Sequence, residues 1–231
     1  MLYILGKSFV GLFYPNLCEA CGNSLVGAEQ VLCTACRYNI PKTNYWETDN
    51  NPVAQSFWGR VGVDKACSYF FFNKGSNYRK LLHKLKYRGQ KEIGFTLGRY
   101  FGQELKNKSW CNGIDMLVPV PLHPKNLHKR GYNQSECIAQ GMAGVLELAV
   151  ITGNLIKRTH TESQTQKGRL ERWQNVSKVF AVINPQIFEG KHILLIDDTM
   201  TTGATLEACA QALLSSCNCK VSVATLAYAP L

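Results

Sequence analysis

The sequence predicts an α/β fold built on a parallel sheet, with a small metal-binding module ahead of it. Two observations carry this. Across residues 110–231, short apolar runs alternate with segments at helical spacing, the pattern of strands joined by crossover helices. Before them, Cys18-x2-Cys21 and Cys33-x2-Cys36 place two paired cysteine knuckles in one short stretch. The expected divisions are 1–45 for an N-terminal helix and the cysteine module, 46–64 for a linker, and 65–231 for the α/β domain.

Taken in order, Leu2, Leu5, Phe9, Leu12 and Phe13 recur at helical spacing and predict a short amphipathic helix packed onto the body. The polar, turn-rich residues from Trp46 through Pro52 onward read as a connection. Ala66 to Phe72 is an aromatic, β-prone strand that stops at Asn73-Lys-Gly75. Tyr78, Leu81, Leu82 and Leu85 line one helix face, and Phe95, Leu97 and Phe101 mark a second helix after Gly89. Ile114 to Val120 is a buried strand halted by Pro121. A helix over Glu136–Ala149, strands over Val176–Ile183 and His192–Ile196, a helix over Thr205–Ser215 and a last strand over Val221–Leu226 complete the alternation. The chain shows neither an internal repeat nor a low-complexity segment.

Hydrophobic residues make up 45% and charged residues 18%, the balance of a folded chain and not of a disordered one. The formal charge of +10, from 26 Lys and Arg against 16 Asp and Glu, attracts phosphates, nucleic acid or anionic membrane without choosing among them. No run approaches the roughly 18 apolar residues of a membrane span. Met1 to Pro15 lacks a basic leader, and Lys7 interrupts its apolar residues, so a secretory signal is not expected. A reducing cytoplasm is the expected compartment, and there clustered cysteines bind metal more often than they pair.

Cys18, Cys21, Cys33 and Cys36 are the expected ligands of one structural Zn2+ ion. Each CxxC bend presents two thiolates, Gly22 suits such a bend, and eleven residues between the knuckles can form a hairpin that returns the second pair to the metal. A redox CxxC is the competing reading, which two paired knuckles in so short a segment disfavour. Four protein ligands leave no open position, so chemistry at this ion is not expected. The other six cysteines, Cys217 and Cys219 among them, read as small buried residues.

The most informative stretch begins at Lys191, where an apolar strand runs into Asp197 and Asp198 and then into a loop of Thr199, Thr201, Thr202, Gly203, Ala204 and Thr205 that opens a helix. The end of a parallel strand is where α/β sheets bind ligands. Loop amides beside a helix N-terminus suit an anion, Gly203 permits close approach, and the threonine hydroxyls add donors. Two carboxylates cannot hold a phosphate, but they accept hydrogen bonds from vicinal sugar hydroxyls. A plain helix cap needs only one such residue. The pattern GxxxxGK[ST] is absent, which excludes a P-loop.

Ile193 to Thr205 resembles the phosphoribosyl-pyrophosphate signature of type I phosphoribosyltransferases. Val118-Pro-Val-Pro-Leu-His-Pro124, Lys129-Arg-Gly-Tyr-Asn-Gln134, and then Thr161, Gln164-Thr165, Arg169, Arg172 and Asn175 are similar to motifs of the ComF family, in the family's order. That family joins a four-cysteine zinc module to a phosphoribosyltransferase-like domain, a parallel sheet flanked by helices. The resemblance implies that Asp197 and Asp198 take the ribose hydroxyls, that Thr201 to Thr205 take the 5-phosphate with Thr199 also at the ligand, and that Mg2+ accompanies the diphosphate. It places Val120, Pro121 and Lys125 in the pyrophosphate loop. It makes Arg158 to Asn175 a loop that closes over the diphosphate, with Arg169 and Arg172 as candidate catalytic groups beside the two acids. Gln166 and Lys167 depart from the Gly-Leu-like pair expected there.

Residues 74–91 carry seven Lys or Arg and no acid. Lys80, Lys84 and Arg88 fall on one helix face, with Lys86 and Tyr87 nearby, a pattern that suits single-stranded nucleic acid and equally an ordinary solvated face. The family resemblance implies a role in natural competence, with single-stranded DNA and a helicase-like protein as partners. Three function classes follow: a transferase of ribosyl phosphate, a DNA-handling module, and a sensor that binds a ribose phosphate without turnover.

Overall fold

The computed structural model describes residues 15–73, 75–158 and 179–230. Five strands form one parallel sheet: β1 (Ala66–Phe71), β2 (Met116–Pro119), β3 (Ala149–Val150), β6 (His192–Met200) and β7 (Lys220–Tyr228). Their spatial order is β1-β7-β6-β2-β3, with every neighbouring pair parallel. β4 (Leu155–Lys157) and β5 (Phe180–Val182) make a separate antiparallel pair.

The sheet is covered on both faces, which is why its strands read as continuous apolar runs. The two-residue period sorts their side chains. Leu194 and Ile196 of β6 join Leu117 in one core, whereas Ile193 and Leu195 join Met116 and Val118 in the other. The first core holds α3 (Asn77–Tyr87), α4 (Lys91–Leu105) and α6 (Gln134–Leu146) through Leu85, Leu97, Phe101, Ile138 and Met142. The second holds α7 (Ala204–Ser216) through Leu206, Cys209 and Leu213.

Helices α4 and α6 meet at glycines. A Cβ at Gly98 would lie 2.2 Å from the Ile138 carbonyl oxygen, and one at Gly141 would lie 2.2 Å from that of Phe95. Only hydrogen at these two positions allows the backbones so close. Gly89 at φ +72° separates α3 from α4, and Glu147 at φ +60° ends α6, so Ala149 starts β3 and does not extend the helix as its apolarity suggested.

Several local expectations change. The stretch 46–64, polar enough to read as a linker, packs into the body. Asn51 caps the single-turn α2 (Pro52–Gln55), and its Nδ2 donates to the Ala66 carbonyl of β1 at 2.9 Å. Trp46, Val53 and Phe57 are buried. The apolar residues here are too sparse for a period to show. β6 runs on through both carboxylates to Met200, because β7 continues to pair with it there. The basic turn after β2 is a short helix, α5 (Pro124–Arg130), capped by His123 Nδ1 accepting from the Lys125 amide at 3.2 Å.

The cysteine module carries α1 (Thr34–Tyr38) and sits against α3 and α4. Glu19, between the first two cysteines, pairs with Lys84 at 2.6 Å, and the Tyr78 hydroxyl donates to the Cys36 carbonyl at 2.8 Å. Cys18, Leu32 and Cys33 belong to the same core as the sheet. The expected N-terminal helix and most of the loop from Arg158 to Asn175, with Arg169 and Arg172, lie outside the described residues.

Candidate functional site

β6 lies between β2, which ends at Pro119, and β7, which pairs with it as far as Met200, so the C-terminal end of β6 opens on the β2 side. The Val120 amide donates to the Ile196 carbonyl at 2.9 Å, which brings the strand end before Pro121 alongside Asp197. From there the two acids diverge, as successive strand residues must. Asp197 turns towards α6: its Oδ1 accepts from the Ser135 hydroxyl at 2.9 Å and from the Asp198 amide at 2.8 Å. Asp198 turns towards α3, where Lys86 Nζ stands 2.9 Å from its Oδ1 and 3.5 Å from the Thr199 hydroxyl.

The electrostatics follow from this enclosure. Burial of the carboxyl group, then the neighbouring Asp198 charge, pushes Asp197 up to about 7; the Asp198 amide, Ser135 and Lys86 oppose that rise. One member of the pair is therefore poised near neutrality, and the other carries an ion pair.

Beyond Met200 the loop wraps the start of α7. Asp197, Thr199 and Thr201 to Thr205 line one small pocket. Gly203 sits at φ +75° as the residue before the helix and has no side chain to cap it, while the Ala204 amide makes a long contact of 3.4 Å with the Thr202 hydroxyl. A Cβ there would meet Met200 Cε at 3.1 Å and the Phe57 ring at 3.5 Å. Thr201, Thr202, Ala204 and Thr205 are exposed around this buried glycine. The result is a concave helix N-terminus with hydroxyls on its rim and carboxylates on one side. Arg60, from the stretch read as a linker, reaches over to pair with Glu207 in the first turn of α7.

Of the expected binding residues, Asp197, Asp198, Thr199, Thr201, Thr202, Gly203, Ala204 and Thr205 come together with Val120 at this strand end. Lys125 stands exposed in the first turn of α5, and Pro121 is half-buried. Sequence reasoning missed Ser135 and Arg60. For Ser135 a signal existed, since Asn133 is a helix cap whose Oδ1 accepts the Ser135 amide at 3.1 Å, and the first helical turn faces the sheet ends. Arg60 left no signal.

The four cysteine sulfurs all lie within 4.8 Å of one another. Cys21 and Cys33 Sγ are 3.8 Å apart, close to the separation that a tetrahedral ion with bonds of about 2.3 Å imposes. The Cys33 amide donates to Cys18 Sγ at 3.3 Å. Burial opposes ionisation of Cys18, but the amides of Cys21, Cys33 and Ala20 outweigh it and bring the thiol down to about 7. The set fits a metal ion such as zinc.

Of the basic residues proposed for nucleic acid, Lys80, Lys84 and Arg88 line one face of α3 as expected, and Lys86 lies away from it. Successive helix residues are about 100° apart, so Lys84 and Lys86 point about 200° apart around α3. Lys84 is tied to Glu19, and Lys86 belongs to the acid pair. The open face holds Arg79, Lys80, His83, Tyr87 and Arg88, with the Arg130 guanidinium 5.3 Å from the Tyr87 ring and His83 4.9 Å from it.

Residues 135–230 match the phosphoribosyl transferase domain family. Together with the parallel sheet and the loop at the end of β6, this defines a phosphoribosyltransferase-like protein. The chain is 31% identical over 137 residues to the DNA utilization protein YhgH of Salmonella typhimurium, covering 58% of this chain and 60% of that one. It is 28% identical over 131 residues to competence protein F of Haemophilus influenzae, covering 54% and 57%. Against competence protein ComFC of Bacillus subtilis it is 31% identical over 136 residues, covering 59% and 53%. These similarities agree with the resemblance to the ComF family. The chain spans about 60% of the length of the first of these relatives.

Among solved structures, glutamine phosphoribosylpyrophosphate amidotransferase of B. subtilis aligns at TM-score 0.44 and 19% identity, covering 62% of this chain and 30% of that one. Adenine phosphoribosyl transferase of Trypanosoma brucei aligns at 0.38 and 15%, covering 69% and 82%. At these scores the overlap is loose, and the fold class rests on the sheet order and the family match. Among the described residues no helix is long and apolar enough to cross a membrane.

Proposed function

We propose that the protein binds phosphoribosyl pyrophosphate, or a related ribose 5-phosphate, at the end of β6 and transfers the ribosyl phosphate group. The observation that carries this is the passage from the Asp197–Asp198 pair into a glycine-led helix N-terminus ringed by threonines, a site with acceptors for a diol beside donors for a phosphate. In the transfer, a lone pair of the acceptor forms a bond to sugar C1 while the C1–O bond breaks and diphosphate leaves with its electrons. Mg2+ on the diphosphate would neutralise charge in the leaving group. The chain's own part is to orient the sugar through the two acids and to hold the 5-phosphate on the loop amides. Lys125, Arg169 and Arg172 are the proposed diphosphate contacts, Zn2+ on the four cysteines is structural, and a reducing cytoplasm suits ten cysteines of which none is in a disulfide.

Thermal unfolding with phosphoribosyl pyrophosphate and Mg2+ tests the binding. Ligand at a hundred times its dissociation constant adds about 2.7 kcal/mol, a rise of roughly 5–10 °C for a domain of this size. The rise should be present in the wild type and markedly smaller in Asp198→Asn; no rise in the wild type would end the proposal.

A second reading, DNA handling, draws on the open face of α3. Arg79, Lys80 and Arg88 flank the exposed Tyr87, whose ring can stack on a base, and Arg130 extends the positive track. Titration of a labelled single-stranded oligonucleotide should show affinity falling steeply between low and moderate salt, and Tyr87→Ala with Arg88→Ala should weaken it further. Affinity indifferent to both would reject it.

A further inference from the structure

We propose that Lys86 is a positioning residue of the sugar-phosphate site, holding the Asp198 carboxylate aimed while offsetting its charge for an incoming polyanion. This deepens the function proposed above and rests on it. Lys86 Nζ is 2.9 Å from Asp198 Oδ1, and both side chains are largely shielded, at 27% and 11% exposure. A carboxylate this enclosed is costly unless paired, and the lysine is its partner. With Oδ1 taken by the ammonium, Oδ2 is the oxygen left to accept a ribose hydroxyl. The Thr199 hydroxyl, 3.5 Å from the same nitrogen, ties the ammonium to the first residue of the loop as well.

The need for such a group follows from the ligand. Two adjacent carboxylates select a diol but repel a sugar carrying phosphates at both ends. A cation in direct contact with one of them removes much of that repulsion without occupying the phosphate pocket.

The fold makes the position dependable. Leu85 is fully buried between Lys84 and Lys86, and its carbonyl accepts the Tyr132 hydroxyl. Lys84 is anchored on the opposite side by the Glu19 carboxylate and by the Glu19 carbonyl, at 2.6 and 2.9 Å. Helix α3 therefore cannot rotate to present Lys86 to solvent without breaking contacts on both flanks.

Calorimetric titration of phosphoribosyl pyrophosphate with Mg2+ into the full chain tests this. The proteins are wild type, Lys86→Met, Lys86→Arg, Asp198→Asn, the Lys86→Met/Asp198→Asn double variant, and Lys106→Met as a surface-lysine control. Lys86→Met should weaken binding by about ten-fold or more, the loss expected for a charged hydrogen bond. Lys86→Arg should stay within about three-fold and Lys106→Met should match wild type. Because Lys86 acts through Asp198, adding Lys86→Met to Asp198→Asn should cost less than about two-fold. Lys86→Met binding like wild type, or losses that multiply in the double variant, would overturn the inference while leaving the binding site intact. A wild type that does not bind would instead remove the proposed function, and this inference with it. Should Lys86→Met fail to fold, Lys86→Gln carries the same comparison.

Discussion

Asp197 and Asp198 are neighbours in sequence with opposite surroundings, and the contrast is measurable. Asp197 is held up to about 7 against an ordinary value of 3.8, by burial and then by the Asp198 charge. Below about pH 4 the group is neutral folded or unfolded and costs nothing. As pH rises towards 7 the unfolded chain gives up its proton while the folded one keeps it, so this residue's contribution to stability is lost on the way up. Asn at this position has no proton to lose and still accepts from Ser135. Asp197→Asn should therefore raise the melting temperature at about pH 8 and change it little at about pH 4, while abolishing the ligand-induced rise. A variant that melts like wild type at both would show that the carboxyl is not held out of its ordinary range.

At the scale of elements, the α4–α6 contact decides where the sheet's first core closes, and with it where Ser135 meets Asp197. Gly98→Ala and Gly141→Ala each force a Cβ to 2.2 Å from a backbone oxygen that cannot swing aside. Each should destabilise by about 2–3 kcal/mol, since overpacking must part the helices. Gly144, on the same helix, faces open space. Its replacement by Ala should stabilise by up to about 1 kcal/mol, the ordinary gain for removing a helical glycine. Denaturant melts of the three variants check both signs. Gly203→Ala belongs to a different case: it strains a left-handed residue and crowds Met200, so it should cost ligand binding as well as stability.

For the molecule as a whole, the cysteine module is not an appendage. Its Cys18, Leu32 and Cys33 share a core with the sheet, and Glu19 and Cys36 bond to α3. If zinc holds the four thiols, a chelator should lower the temperature of one shared unfolding transition in calorimetry, and not split off a separate early one. A distinct low-temperature transition would show that the module unfolds alone.

What the sequence determined by itself is what local periodicity and local chemistry encode. Buried strands announce themselves as apolar runs, two CxxC knuckles carry their own geometry, and the acid-acid-threonine-glycine loop is contiguous, so the fold class and the cysteine cluster were legible before any coordinates. Tertiary structure alone decided what depends on distant chain segments meeting. Lys86 looks like one more cation on a basic helix until α3 docks it against Asp198, more than a hundred residues away. Likewise, Arg60 and Trp46 lie in a stretch polar enough to pass for a linker, and only packing against β1 and α7 makes that stretch part of the body. A residue's spacing along the chain reports its own helix or strand. Its partner across the fold is set by how those elements close over one another, and no local pattern records that.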